Sequence, residues 1–374
     1  MRAEEELFGY ADELGPEKVL HFYNPKVKLR GILVIDNTAR GPGFGGIRIA
    51  PNLTTEEVFR LARTMTYKNA IADIPYGGAK GGIIGDPTAP NKHEIIRAYA
   101  RFLRPHTDYI PGPDIGTDES CMAVIFDEIG RAGGLPRELG GIPLDEIGAT
   151  GYGVAEAAEI AADYAGLDLG KATAAIEGFG AVGKATFRFL ADKGVKVVAV
   201  SDIKGGIYNP EGLNYDGLVE VEPITGTVTK LWNRKYKDGQ ALSGAELFKL
   251  NVGILVPGAR PDVITMENAG DIKAKIVLEG ANIPATNEAE KYLHDKGVLI
   301  IPDFIANAGG VITVAVEVAG GTEEQCFGVI RSKIQRNVRT LLDLVYREKV
   351  YPRQAAERLA KQRVVQAMGL RGWT

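Results

Sequence analysis

The sequence reads as an α/β protein of two domains: a mixed α/β domain first, a doubly wound parallel sheet second, with C-terminal helices at the end. Three observations point there. The chain has 374 residues, too many for one ordinary hydrophobic core. The first third mixes alternating and helical apolar spacings, whereas beyond residue 150 short apolar runs recur between helical stretches, the rhythm of parallel strands joined by crossovers. Between them lies R-A-G-G-L-P-R-E-L-G-G-I-P-L-D-E-I-G at 131–148, rich in Gly and Pro and without periodicity, as a linker would be.

Element by element, V-K-L-R-G-I-L-V-I at 27–35 begins with alternation and ends apolar, which predicts a strand. Thr54 and Glu57 have capping-box spacing, and Val58, Leu61, Ala62, Met65 and Asn69 recur at helical intervals behind them. A second cap, N-K-H-E at 91–94, opens a helix to about Arg104. After the linker, A-T-A-A-I-E, K-V-V-A-V, V-G-I-L-V, K-I-V-L-E and V-L-I-I-P are the strands expected of the parallel sheet. From about Thr322 to Met368 the chain reads as helical, with Phe327, Ile330, Ile334, Val338, Leu341, Leu342 and Val345 forming an apolar stripe suited to core or subunit contact.

Composition excludes several classes. A net charge of -4 and a pI near 5.8 provide no basic footprint for nucleic acid. Cys121 and Cys326 lie too far apart in sequence to suggest a disulfide framework or a zinc spacing, which fits a reducing cytoplasm. His21, His93, His106 and His294 show no paired metal-ligand spacing, so packing or surface roles are expected and no metal. The start M-R-A-E-E-E-L lacks the pattern of a signal peptide, and no run of about 18 apolar residues suggests a membrane span.

The first motif with chemistry is G-F-G-A-V-G, comprising Gly178, Phe179, Gly180, Ala181, Val182 and Gly183. In a chain with 47 glycines the spacing alone is weak. Its setting is specific: it follows an apolar strand, opens the helix A-V-G-K-A-T-F-R-F-L, and precedes a second strand ending at Asp202, about 20 residues on. Gly178 suits the turn, Gly180 lets the backbone approach a pyrophosphate at the helix N-terminus, and Asp202 suits an adenosine ribose. The bland alternative is a plain strand-to-helix turn with a solvated acid. With the whole setting present, a Rossmann-type dinucleotide site is the expectation.

A nicotinamide ring held there needs substrate and proton chemistry from the other domain, across a cleft. The candidates are Lys80 in Y-G-G-A-K-G-G, Lys68 in T-Y-K-N-A and Asp114 in G-P-D-I-G-T. Each alone is more often a solvated charge. Two lysines close together in a dry cleft disfavour each other's charged forms, which brings one of them from about 10.4 toward a usable general base.

These segments resemble the amino acid dehydrogenase superfamily, whose members deaminate glutamate, leucine, valine or phenylalanine with a nicotinamide cofactor. The resemblance covers nearly the whole chain through G-P-G-F-G-G-I-R at 41–48, the three segments above, A-T-G-Y-G-V at 149–154, E-G-A-N at 279–282 and P-D-F-I-A-N-A-G-G-V at 302–311. It implies a substrate and catalytic domain over 1–146, a dinucleotide-binding domain over 147–325, and helices over 326–374 packing back on the first. It also implies that Lys68 holds the α-carboxylate, Lys80 activates water and Asp114 shuttles the amino proton. Thr150 and Asn307 match positions at the nicotinamide amide, and Asn282 one near its ribose. A homo-hexamer or homo-octamer follows from the same likeness. NAD is expected over NADP because of Asp202, with Lys204 leaving NADP possible.

The side-chain pocket departs from the glutamate enzymes. Their lysine for the γ-carboxylate is replaced by Phe44, and their serine by Val314. With Gly112 and Val311, these residues predict an apolar substrate such as leucine, valine or phenylalanine, since a carboxylate there would be desolvated without a partner. Yet the stretch at 202–214 and the segment around Trp232 resemble the glutamate enzymes more, so glutamate is the alternative. Two other classes stay open: a two-domain dehydrogenase of the malic enzyme or methylene-tetrahydrofolate kind, and a non-catalytic nucleotide-binding regulator.

Overall fold

The computed structural model describes residues 9–229 and 239–373, so Trp232 lies outside the described residues. Two compact units result. The first holds the described residues up to Pro143 with Val311–Cys326 and the chain from Glu357 on; the second holds Leu144–Gly310 with Phe327–Ala356. Contacts thus divide the C-terminal part more finely than a single block from residue 326 would.

The first unit is built on strands β1 (Lys18–Asn24), β2 (Leu29–Asn37), β3 (Gly43–Ala50), β4 (Gly77–Ile84) and β5 (Tyr109–Pro113), and helices α1 (Thr55–Ile71), α2 (Lys92–Leu103) and α3 (Glu119–Ile129). The sheet order is β1-β2-β4-β3-β5, which places β4 at the centre. β2 is antiparallel to β1 and β4, while β3 runs parallel to β4 and β5. Because successive side chains of a strand face opposite ways, Ile32 and Val34 join α1's Val58 and Ala62, and Leu33 and Ile35 join Tyr99 of α2 and Met122 of α3. Both faces of β2 are therefore covered, which explains its near-continuous apolar sequence.

Two expectations need correction here. The expected strand at 27–35 begins only at Leu29, because Lys28 adopts φ +55 in a tight turn from β1, a strand the sequence pass missed. Thr54 does cap α1 by accepting from the Glu57 amide at 3.2 Å, but Asn91 makes no side-chain cap for α2. The helical C-terminal part forms two helices, Glu323–Glu348 and Pro352–Leu370, parted where Lys349 turns left-handed at φ +53 and proline opens the next helix.

In the second unit come α4 (Ala149–Tyr164), β6 (Thr173–Glu177), α5 (Ala181–Asp192), β7 (Lys196–Asp202), β8 (Gly205–Tyr208), α6 (Tyr215–Thr225), β9 (Gln240–Leu242), α7 (Gly244–Leu247), β10 (Ile254–Pro257), β11 (Ile276–Leu278), α8 (Asn287–Asp295), β12 (Leu299–Ile301) and α9 (Asp303–Ala306). Helices α10 (Gly309–Val318), α11 (Glu323–Glu348) and α12 (Pro352–Leu370) follow. The sheet order is β12-β11-β10-β6-β7-β8-β9. All five expected strands pair in parallel, and the added antiparallel β8 and β9 extend one edge. Strand order reverses between β6 and β10, and such a switch point is where open α/β sheets bind ligands. Among the described residues no helix is long and apolar enough to cross a membrane, and no metal-binding group of three or more His, Cys, Asp or Glu occurs.

Candidate active site

In the first unit, strand register assembles the charged site. Phe44 stands opposite Gly78 and Ile47 opposite Gly81, so Lys80 lies level with Gly46, which in turn faces Gly112 on β5. Residues paired across a sheet share a face, so Phe44, Arg48, Lys80 and Gly112 line the face that α1 covers. With no side chain at Gly46 between them, the Lys80 ammonium reaches Asp114 Oδ1 at 3.1 Å. A Cβ at Gly46 would stand 2.7 Å from the Asp114 Cβ.

Asp114 is gripped from its other oxygen, where Oδ2 accepts from Arg48 Nε at 2.7 Å. Arg48 is held in turn by Glu57 Oε1 at 2.9 Å, so Glu57 links the first turn of α1 to the site. Lys80 is only 4 % exposed. Burial pushes its pKa down, the Asp114 carboxylate opposes this, and the charges of Arg48 and Lys68 add to the lowering. Asp114 responds oppositely: burial would raise its pKa, but Lys80 and Arg48 together hold it below the usual carboxylate value. Lys68 sits in the last turn of α1, whose end is pinned because the Asn69 amide donates to the carbonyls of Phe44 at 3.1 Å and Gly77 at 2.6 Å.

The glycines around Lys80 admit close neighbours on both faces of β4. A Cβ at Gly78 would lie 2.1 Å from Thr66 Oγ1, and one at Gly82 2.7 Å from Leu53 and 2.8 Å from Val58. On the opposite face, a Cβ at Gly81 would lie 2.8 Å from Ile47 and 2.9 and 3.0 Å from the Tyr99 and Tyr109 hydroxyls. They let helix and tyrosines press onto β4, and only Lys80 carries a functional group there.

The apolar residues also meet. Phe44 is buried and its ring lies 5.9 Å from that of Tyr76. A Cβ at Gly112 would touch the Phe44 ring at 3.2 Å, so the ring takes that space. Gly133 completes the wall: its Cβ would stand 2.3 Å from Val314 and 3.5 Å from Phe44. Val311 lies one turn before Val314 on α10. The Glu317 carboxylate, a turn after Val314, accepts the Leu135 and Ile142 amides at 3.0 and 2.9 Å and so fixes the 133–142 segment.

In the second unit, the motif glycines shape a tight strand-to-helix turn. Gly178 turns at φ +94, and a Cβ on Gly183 would strike the Gly178 carbonyl oxygen at 1.8 Å, so α5 sits tight on the turn. At Gly180 a Cβ would meet no atom within 4 Å, and this N-cap of α5 makes no side-chain cap. Amides of Ala181 and Val182 thus open the helix, with Phe179 buried beneath. Asp202 ends β7, its oxygens accepting the Lys204 and Val228 amides at 2.7 and 2.6 Å.

Close glycine contacts pack Ala149 and Thr150 against Gly309 and Gly310, just after Asn307 in the chain. A Cβ on Gly309 would lie 2.0 Å from the Ala149 carbonyl oxygen, and one on Gly310 3.2 Å from Thr150 Oγ1. Asn307 donates to Asn282 Oδ1 at 3.0 Å, while its own buried Oδ1 has no partner among the described residues. Such an orphan costs about 1–3 kcal/mol, and a carboxamide donor is what it fits. An open Gly180, a helix N-terminus without a side-chain cap and an orphan carboxamide acceptor together suit a nicotinamide dinucleotide.

Sequence reasoning missed Arg48, Glu57, Gly46 and Gly133. Arg48 could have been found, since it ends the quoted 41–48 segment at the same strand face as Phe44. The others show themselves only through contacts between distant segments.

A dinucleotide-type sheet in one unit, and a buried lysine–aspartate pair in the other, define a nicotinamide-linked oxidoreductase. A family model for glutamate/leucine/phenylalanine/valine dehydrogenase matches residues 140–372, and one for the Glu/Leu/Phe/Val dehydrogenase dimerisation domain matches 16–131. The chain belongs to this family and is an amino acid dehydrogenase using NAD(P). It is 42% identical over 364 residues to a glutamate dehydrogenase of Aeropyrum pernix, covering 90% of this chain and 85% of that one. It is 37% identical over 359 residues to an NAD-specific glutamate dehydrogenase of Staphylococcus aureus, covering 90% and 85%. Among solved structures, the hetero-hexameric glutamate dehydrogenase of Thermus thermophilus in a Leu-bound form superposes with a TM-score of 0.82 at 30% identity, covering 97% of this chain and 92% of that one.

Proposed function

We propose that the chain carries out the reversible oxidative deamination of L-glutamate to the 2-oxo acid and ammonia, with NAD preferred and NADP second. The likeness to glutamate dehydrogenases over nine-tenths of the chain carries the substrate reading. In this reading the first unit is the substrate and catalytic domain and the second the dinucleotide domain. The helix amides after Gly180, with Asp202, Thr150, Asn282 and Asn307, hold the dinucleotide, which when bound supplies the hydride acceptor.

Lys68 clamps the α-carboxylate, and Asp114 takes the proton of the amino group as the α-hydride leaves. The resulting iminium carbon is attacked by water, whose first proton goes to neutral Lys80. After Asp114 returns its proton to the nitrogen, the carbinolamine collapses to the 2-oxo acid and ammonia, its hydroxyl proton passing to Asp114, and both acids then release their protons to solvent. A depressed lysine pKa is what this base step needs near neutral pH. Asp202 favours NAD by repelling an added 2′-phosphate, in keeping with the NAD-specific name of the Staphylococcus aureus relative. Assembly into an oligomer, a homo-hexamer or homo-octamer in this reading, draws its support from the matched dimerisation domain and from the hetero-hexameric Thermus thermophilus neighbour only as far as oligomerisation itself.

A second reading, an apolar substrate, rests on one observation. Phe44, Val314, Gly112 and Gly133 pack against one another as an apolar wall, where an apolar side chain gains roughly 25 cal/mol per Å² buried. The expectation from the sequence preferred this reading, whereas the names of the relatives favour glutamate. The deciding measurement is kcat/KM for glutamate, leucine and phenylalanine under one condition. A glutamate advantage of about tenfold, or 1.4 kcal/mol, supports the first reading, and the reverse establishes the second.

A further inference from the structure

Away from the charged site, the most concentrated buried charge in the second unit surrounds Arg353, at the start of α12. Its guanidinium meets Glu279 Oε2 at 2.8 Å, Glu290 Oε1 at 2.6 Å and Asp303 Oδ1 at 3.1 Å, with the Phe304 ring 5.4 Å away. All four charged residues are buried. Three carboxylates around one cation are a costly arrangement for stability alone.

What the cluster holds is the backbone beside Asn282. Asp303 uses its second oxygen, Oδ2, to accept the Ile283 amide at 2.9 Å. Ile283 has φ +49 and is 55% exposed. A β-branched residue in the left-handed region is an outlier that persists only where its surroundings enforce it, and an exposed side chain cannot be the enforcer. Asp303 also accepts the Asn307 amide on its carbonyl at 2.8 Å, and donates its own amide to Glu279 Oε2 at 2.9 Å. One residue thus touches both segments whose asparagines bond each other at 3.0 Å.

We propose that Arg353 is a positioning residue for dinucleotide binding: through Asp303 it keeps Ile283 left-handed and thereby presents Asn282 beside Asn307. This rests on the reading of Asn282 and Asn307 as contacts to the nicotinamide half. An arginine suits the task because its planar fork addresses several carboxylates from one fixed plane.

The test is equilibrium binding of NAD and, separately, of ADP as a probe of the adenine half, to the full-length protein. Asn282→Ala weakens NAD by on the order of tenfold, and if it does not, the reading of the contacts fails independently of the hold. Arg353→Met weakens NAD similarly while ADP binding stays. Because three carboxylates stripped of their cation can unfold the unit, Asp303→Ala is the second variant, which removes an acid together with the hold. Adding Ile283→Gly to Asp303→Ala recovers most of the loss, since glycine occupies the left-handed region unaided. Undiminished NAD affinity in Asp303→Ala overturns the proposal. So does an equal loss of NAD and ADP that the glycine leaves unrelieved.

Discussion

Lys80 shows how one residue's chemistry is set by its neighbours. Replacing Lys80 with alanine is expected to lower kcat by on the order of a thousandfold or more while NAD binding is kept; Asp114→Asn is expected to match it with the fold intact. Turnover retained in Lys80→Ala removes the lysine from the mechanism. The pH dependence has a definite sign. Only neutral Lys80 accepts a proton, so kcat/KM for deamination rises with pH through a value below the ordinary lysine 10.5. Arg48→Met removes one of the charges that depress it, which moves that limb to higher pH, and an unmoved limb shows that Arg48 only packs. For stability, Asp114 has its pKa lowered below 3.8, so its contribution is complete above that value and is lost as pH falls through the lower folded one. Acid unfolding of Asp114→Asn, followed beside the parent, reads this directly.

Strand β4 illustrates why an element can be legible in type and opaque in purpose. Four glycines flanking Lys80 signal close approach, but what approaches comes from α1 and from two tyrosines remote in sequence. Gly78→Ala puts a methyl group 2.1 Å from Thr66 Oγ1 and 2.2 Å from the Thr66 amide nitrogen, atoms that cannot swing aside. Overpacking of this kind costs about 1–3 kcal/mol, expected as a lower urea midpoint with an unchanged slope. A neutral result means that α1 can lift off β4 freely. By contrast, the turn around Gly178 to Gly183 was readable residue by residue, because its demands are local: one positive φ, one open side and one tight helix contact.

For the whole molecule, cofactor choice joins segments that the linear sequence keeps apart. Both oxygens of Asp202 are engaged by amides of Lys204 and Val228, so the carboxylate is oriented before any ligand arrives. Asp202→Ser is expected to reduce the kcat/KM ratio of NAD to NADP by on the order of tenfold by lifting the repulsion of a 2′-phosphate. A parent enzyme that prefers NADP outright shows instead that the two amides turn the carboxylate away from the ribose. Light scattering at several concentrations tests the oligomer, with six or eight chains expected and a persistent monomer contrary to the proposal.

By itself the sequence determined the sheet types, the dinucleotide turn, the lysines and aspartate of the charged site and the kinship with amino acid dehydrogenases. Those follow from periodicity and from short segments whose backbone needs are local. It also predicted an apolar pocket at Phe44 and Val314. Tertiary structure alone decided that Gly46 lets Lys80 reach Asp114, that Arg48 and Glu57 brace the pair, that Phe44 occupies the space over Gly112, and that Arg353 gathers three carboxylates beside Asn282. Apart from Arg48 and Glu57, nine positions apart, each of these is a contact between residues tens of positions apart, and such a contact leaves no periodic trace along the chain because either partner alone is compatible with many surroundings.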